Sequence, residues 1–219
     1  MVTLTLAEQL LLLALDDESG KLLNLPERAF DYALAGAVIA DLTRVGRIRV
    51  GTDSIEIVST VPVESGAEDF GLLELEHASV GSLKGALSHL ASDVNGLRQN
   101  LTDQLVAKGV LRQEQHDFLW VFHFSRYPLA NKSAENAIKQ RLRNRILMPD
   151  IPATEADHLL LSLVHICQLE GLILSAAEQE SHGARVAEIA RHDKIGSAVQ
   201  SCLDEIQKAI MEIRTYSGL

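Results

Sequence analysis

The stretch from Leu4 to Val50 constrains the fold more than any other part of the chain. Thr5-Leu6-Ala7-Glu8 has the form of a capping box, in which the Thr hydroxyl and the Glu carboxylate satisfy backbone donors left open at a helix start. Leucines at 10, 11, 12, 13 and 15 leave this helix little polar face, which predicts burial on most sides, with Ser19-Gly20 as its end. A second helix, over 27–45, mixes apolar residues with the small residues Ala33, Ala35, Gly36, Ala37 and Ala40, so another element can approach its backbone closely. Arg47 to Val50 and Ser54 to Ser59, joined across Gly51-Thr52-Asp53, read as a hairpin of two short strands.

Beyond the hairpin, Val61 to Gly71 is acidic and rich in turn formers and is expected to be loose. From Leu72 the period is helical, interrupted near Gly81-Ser82, where one helix ends and the next is capped. Leu90, Val94, Leu97, Leu101 and Leu105 recur at steps of three or four and predict a core stripe, closed by Lys108-Gly109. Val110 to Leu111 and Phe118 to Phe124 read as β-structure. Further helices are expected from a Ser133 cap to Leu147, from a Thr154 cap through His165 and Cys167 to Leu174, and over 177–191 and 194–216. The chain is therefore expected to be mostly α: a single globular helical domain over residues 1–219 with short β-hairpins. No Pro-rich or Ser/Gly-rich run offers a linker, and 47% hydrophobic residues suffice for a substantial core.

Charge is unevenly placed. Residues 1–79 hold five basic against fourteen acidic side chains, whereas 98–145 hold nine basic against four acidic, an island of positive charge in a chain of net charge -10. The order helix, helix, hairpin also describes a winged-helix unit, but the acidic balance of that segment argues against nucleic acid as a partner. The longest apolar run, Leu10 to Leu15, is too short to span a bilayer, so membrane contact is expected to be peripheral. Cys167 and Cys202 lack metal-type spacing and fit buried thiols of a reduced, cytoplasmic environment.

In order and spacing, the leucine helix, the acidic turn, Ala35-Gly36-Ala37 and Gly46-Arg47-Ile48-Arg49-Val50 together resemble the Golgi phosphoprotein 3 family. The resemblance returns at Asn100 to Leu111, at Phe118 to Leu129 with Tyr127-Pro128-Leu129, and at Ala137 to Leu142. Its eukaryotic members are peripheral membrane proteins that read phosphatidylinositol 4-phosphate. The resemblance implies a headgroup pocket built from a Trp and three Arg, at the positions occupied here by Pro26, Ala35, Asn95 and Arg98, of which only Arg98 keeps the family's residue. It also implies self-association through the aromatic segment. The altered pocket, and a first helix that follows almost directly on Met1, look more like the prokaryotic branch.

Two segments are the candidate sites. On the helix from Ser133, Ile138, Leu142 and Ile146 share one face, flanked by Arg141 with Arg145 and Lys139 with Arg143, an amphipathic basic helix suited to anionic lipid. A solvated face that merely keeps the protein soluble is the plain alternative. In 118–124 the aromatics Phe118, Trp120, Phe122 and Phe124 follow a two-residue alternation, and apolar residues on both faces predict either self-burial or homo-oligomerisation. No phosphate loop, H-E-x-x-H or nucleophile elbow is present, which points away from an enzyme and from cofactors. His158, His165 and Cys167 fit core histidines and a thiol better than a metal site, and Asp16-Asp17-Glu18 fits a solvated turn. The leading expectation is a non-enzymatic peripheral adaptor on anionic phospholipid, by resemblance phosphatidylinositol 4-phosphate, with an unknown client protein. The alternative is a soluble protein-interaction module that keeps the fold without the lipid pocket.

Overall fold

The computed structural model describes residues 2–26, 28–63, 65–118, 122–148, 150, 154–191 and 194–217, with side chains apart from those of 115–118, 122–125, 190–191 and 207–217. The helices are α1 (Leu6–Ala14), α2 (Ala29–Arg44), α3 (Gly66–Ala78), α4 (Leu83–Ser92), α5 (Val94–Ala107), α6 (Ser133–Leu147), α7 (Glu155–Ile166), α8 (Ala176–Arg191) and α9 (Lys194–Ser217). Two antiparallel hairpins interrupt them, β1 (Ile48–Val50) with β2 (Ile55–Ile57), and β3 (Glu114–Phe118) with β4 (Phe122–Arg126). The mostly helical architecture with short hairpins is the one the sequence pattern predicts.

Helix α2 is the hub. It packs against α1, α3, α4, α5, α7 and α9, and every residue from Tyr32 to Leu42 is buried. Its small residues permit this crowding: a Cβ on Gly36 would stand 2.9 Å from Val199 Cγ2 and 3.1 Å from Ile195 Cγ2 of α9. A helix so enclosed has no face to lay in a nucleic-acid groove, which removes the winged-helix reading.

Within this apolar hub Asp41 is a buried carboxylate, and it pins α1. Its Oδ1 accepts from Leu6 N–H at 3.1 Å and its Oδ2 from Ala7 N–H at 3.0 Å, satisfying two donors that a helix start leaves open. The predicted capping box is present: Thr5 N–H donates to Glu8 Oε2 at 2.8 Å and Glu8 N–H to Thr5 Oγ1 at 3.3 Å. Glu8 is itself fully buried and takes Lys108 as its cation at 2.6 Å, tying the end of α5 to the start of α1.

Several boundaries differ from expectation. Helix α1 ends at Ala14, because Leu15 is extended and bridges Leu22. The acidic turn that follows is docked, not merely solvated: Leu129 N–H donates to the Asp17 carbonyl at 3.1 Å and Lys132 pairs with the Asp17 carboxylate at 2.5 Å. Gly20 has a φ of +65°, and a Cβ there would lie 2.3 Å from the Tyr127 backbone, so only glycine fits. The stretch expected to be loose turns helical at Gly66, where Asp69 accepts from Val63 N–H at 2.7 Å and Ser65 N–H at 3.2 Å.

The core stripe is intact, with Leu90, Val94, Leu97, Leu101 and Leu105 all buried, although the helix breaks at Asp93. Ser133 is the first residue of α6, not its cap. Helix α7 stops at Ile166, since Gln168 adopts a left-handed φ of +56° and a short 3-10 turn, Glu170–Leu172, follows.

Candidate functional site

Helix α5 presents Asn95 and Arg98 on one turn, and Arg98 Nη2 donates to Asn95 Oδ1 at 2.9 Å. Arg98 Nε is buried and, among the described residues, has no hydrogen-bond partner. Across from it, at the start of α2, Asp31 is half-buried. Burial pushes its carboxyl above the usual range, while Arg98 and then Arg28 pull it back down. Arg28 precedes α2 with a left-handed φ of +61° and holds its guanidinium 5.7 Å from the centre of the Tyr32 ring. Arg98, Asn95, Asp31 and Arg28 therefore form one polar surface between α5 and α2.

Of the four positions aligned with the family pocket, Asn95 and Arg98 come together. Ala35 is fully buried inside α2, so that position offers nothing to a headgroup. Pro26 lines a cleft of about 440 Å3 with Arg28, His165 and Glu170. The sequence reading missed Arg28, since neither its spacing nor its charge marks it; its left-handed backbone does.

Helix α6 departs most from expectation. Ile138, Leu142 and Ile146 are buried in the common core, so this apolar face is not available to a bilayer. Each of the four cations also has a carboxylate. Lys139 pairs with Glu135 one turn away, and Arg143 pairs with Glu178 of α8. Arg141 Nε lies 2.9 Å from Asp157 Oδ1 and Arg145 Nε 3.1 Å from Asp157 Oδ2, both at the start of α7, and Arg141 Nη2 donates to Gln9 Oε1 of α1 at 2.5 Å. Arg143, helped by the N–H and hydroxyl of Ser175, draws the Glu178 carboxyl down to about 2. The arginines of α6 thus bind helices to one another.

The aromatic segment is not one continuous strand: Phe118 closes β3, and Phe122 and Phe124 belong to β4, antiparallel to it. Phe118 is registered opposite Phe122 and His116 opposite Phe124 across the β3–β4 ladder. Trp120 lies outside the described residues. Isolated bridging of Leu111 with Leu129 carries the hairpin's base.

His165 Nδ1 sits 2.6 Å from Glu170, which raises the His165 pKa above its ordinary value. Burial pushes the Cys167 thiol up to about 12, far from a thiolate ligand. Among the described residues none of the helices is long and apolar enough to cross a membrane.

Comparison with known proteins places this arrangement. Over 198 residues the chain is 28% identical to vacuolar protein sorting-associated protein 74 of Eremothecium gossypii, an alignment covering 77% of this chain and 59% of that protein. It is 25% identical over 160 residues to the protein of the same name in Schizosaccharomyces pombe, covering 64% and 47% respectively. The chain thus spans about half the length of the curated relatives it matches. The profile of the Golgi phosphoprotein 3 (GPP34) family matches residues 6–206, nearly the whole described structure, and the chain belongs to that family.

Proposed function

We propose that this chain is a non-enzymatic peripheral adaptor, one domain over residues 1–219, that binds anionic phospholipid at the cytoplasmic face of a membrane. The observation that carries this reading is the Arg98 surface, where among the described residues the guanidinium hydrogen-bonds only to the neutral amide of Asn95, with Arg28 close by across Asp31. Guanidinium donors of this kind match phosphate oxygens. Asn95 and Arg98 contact the headgroup. Lys139, Arg141, Arg143 and Arg145 add to the positive field of the middle segment and are not ligands of that headgroup, and Phe118, Trp120, Phe122 and Phe124 mediate homo-oligomerisation. By resemblance the headgroup is that of phosphatidylinositol 4-phosphate, and the relatives' name suggests a role in protein sorting, with client proteins of this chain unidentified.

Liposome co-sedimentation with neutral, mixed anionic and phosphatidylinositol 4-phosphate vesicles tests this. Binding that needs anionic lipid and weakens as salt rises is the expected result. Equal sedimentation with neutral vesicles, or none with any, refutes it. The second reading, a soluble interaction module, is favoured by one observation: the cations expected to meet a membrane are held by carboxylates of this same chain.

A further inference from the structure

A second group of cations lines a trough on a different part of the surface, where the N-terminal segment, α6 and the start of α7 meet. One end is a cleft of about 360 Å3 whose charged lining is Arg44, Arg141, Arg145, Asp41 and Asp157. The other is a groove of about 540 Å3, largely apolar, with Leu4, Val110, Ala134, Ala137 and Ile138 in its wall and Lys108 at its side. The two share Thr3, Leu4, Gln9 and Arg141 and are therefore continuous. Together they have the size of a small-molecule site, with charge at one end and hydrocarbon at the other.

The charged end has more cations than anions to match them. Three guanidiniums stand against two carboxylates, of which one is committed to backbone donors and the other is divided between two of the three guanidiniums. Asp41 gives both oxygens to the N–H groups of Leu6 and Ala7. Asp157 is shared between Arg141 and Arg145 and also accepts from Thr154 N–H at 3.3 Å. Arg44 is 59% exposed and lies 3.7 Å from Asp41, outside hydrogen-bond distance. Among the described residues Arg145 donates only from its Nε and Arg141 only from Nη2, to Gln9 Oε1, while the Arg141 Nε is buried against Asp157. The Arg44 guanidinium, both Nη groups of Arg145 and Nη1 of Arg141 are thus left to a ligand that brings its own oxygens.

We propose that this trough binds a single anionic amphiphile bearing a phosphate group, with Arg44, Arg141 and Arg145 holding the phosphate and Leu4, Val110, Ala137 and Ile138 covering the apolar remainder. Forked guanidiniums fit phosphate geometry, and a dianion there offsets the excess positive charge. The site does not depend on the Arg98 surface.

Isothermal titration of the full chain with dioctanoyl phosphatidic acid, below its micelle concentration, is the test. Saturable binding of one molecule per chain is expected. Arg44→Gln, which disturbs no hydrogen bond among the described residues, should weaken it roughly fivefold or more. Ala137→Phe should weaken it by narrowing the apolar end, while inorganic phosphate binds both Ala137→Phe and wild type weakly and alike. Circular dichroism verifies each variant; if Ala137→Phe fails to fold, Arg44→Gln decides alone. Absence of saturable binding, binding unchanged in folded Arg44→Gln, or inorganic phosphate binding as tightly as the amphiphile overturns the proposal. Vesicles containing phosphatidic acid identify the source. Sedimentation that falls in Arg44→Gln assigns the site to a membrane lipid, and sedimentation that does not fall assigns it to a soluble phosphorylated amphiphile. Arg98→Ala in parallel separates the two surfaces: it should reduce vesicle binding and leave the titration unchanged.

Discussion

Helix α6 and Arg98 of α5 both belong to the basic middle segment, and they put their positive charge to different uses. On α6 the four cations each meet a carboxylate of this chain, at Glu135, Asp157 and Glu178, and the apolar stripe between them is core. On α5, Arg98 has a neutral amide as its hydrogen-bond partner and one half-buried carboxylate, Asp31, that it shares with Arg28. A count of charges along the sequence favours α6 by four to one. As a membrane-facing surface the balance in space favours α5, because each cation of α6 is matched by a carboxylate of the chain and extends little net field toward a bilayer. Charge density in a sequence locates basic elements, and only their partners decide whether those elements face inward or outward.

The strongest way to break this contrast is to remove the anion that α6 depends on. Asp157 is buried, is shared by two guanidiniums and completes the capping box of α7. Asp157→Ala should therefore destabilise the protein by roughly 3–5 kcal/mol, the usual effect of leaving buried charges without a counterion. Denaturant unfolding followed by circular dichroism measures it. A loss smaller than about 1 kcal/mol, the level of an exposed pair, would return α6 to the list of free basic surfaces.

Asp41 sharpens the contrast through pH. Like Asp157 it holds a helix start, but its nearest guanidinium, on Arg44, stands at 3.7 Å, and burial lifts its carboxyl from 3.8 to about 6. A carboxyl raised on folding is protonated more readily in the native state than in the unfolded one. Its contribution to stability is therefore fully present below about pH 4 and is lost as pH rises through about 6. Between those limits wild-type stability relative to Asp41→Asn should fall by up to about 1.4 kcal/mol per pH unit. A pH-independent difference between the two would show that Asp41 is ionised throughout that range. Asp41→Ala, which strands the N–H groups of Leu6 and Ala7, should cost about 1–3 kcal/mol for each.

Substitutions on the α5 side should do the reverse and leave stability alone. Arg98→Ala is expected to change unfolding free energy by no more than about 0.5 kcal/mol, yet to weaken sedimentation with anionic vesicles roughly fivefold, about 1 kcal/mol per surface cation. Arg143→Ala, which frees Glu178, should leave vesicle binding within about twofold, since most of its field is already matched. Reversal of these two results, with Arg143 governing binding and Arg98 silent, would restore the basic helix as the membrane contact.

The contrast also marks what the sequence makes legible. Local devices are readable: the capping box at Thr5, the cap at Thr154 and the stripe from Leu90 to Leu105 depend on residues three or four apart. The partners of α6 are not, because Arg145 reaches Asp157 twelve residues on, Arg143 reaches Glu178 at thirty-five, and Arg141 reaches back to Gln9 across 132. Asp41 gives no sequence signal of clamping another helix, since in a helical pattern it passes for one polar residue on a solvent face. Arg28 is visible only through its backbone.

The smallest expected effect concerns which anion the α5 surface prefers. Recognition of a 4-phosphate in the family pocket uses an aromatic platform and three guanidiniums, by the resemblance described above. Here those positions hold Pro26, Ala35, Asn95 and Arg98, and Ala35 is sealed within the most enclosed helix of the fold. Arg28 supplies one replacement guanidinium, engaged with the Tyr32 ring and facing Asp31. Two guanidiniums around a carboxylate attract phosphate by charge but place few directed donors on a particular inositol hydroxyl or phosphate. At equal total charge, vesicles with phosphatidylinositol 4-phosphate should therefore bind only about two- to threefold more tightly than those with other anionic lipids, well under the 1.4 kcal/mol of a tenfold difference. A preference of tenfold or more that vanishes in both Arg28→Ala and Arg98→Ala would show that these two side chains rebuild a directed pocket without the aromatic platform.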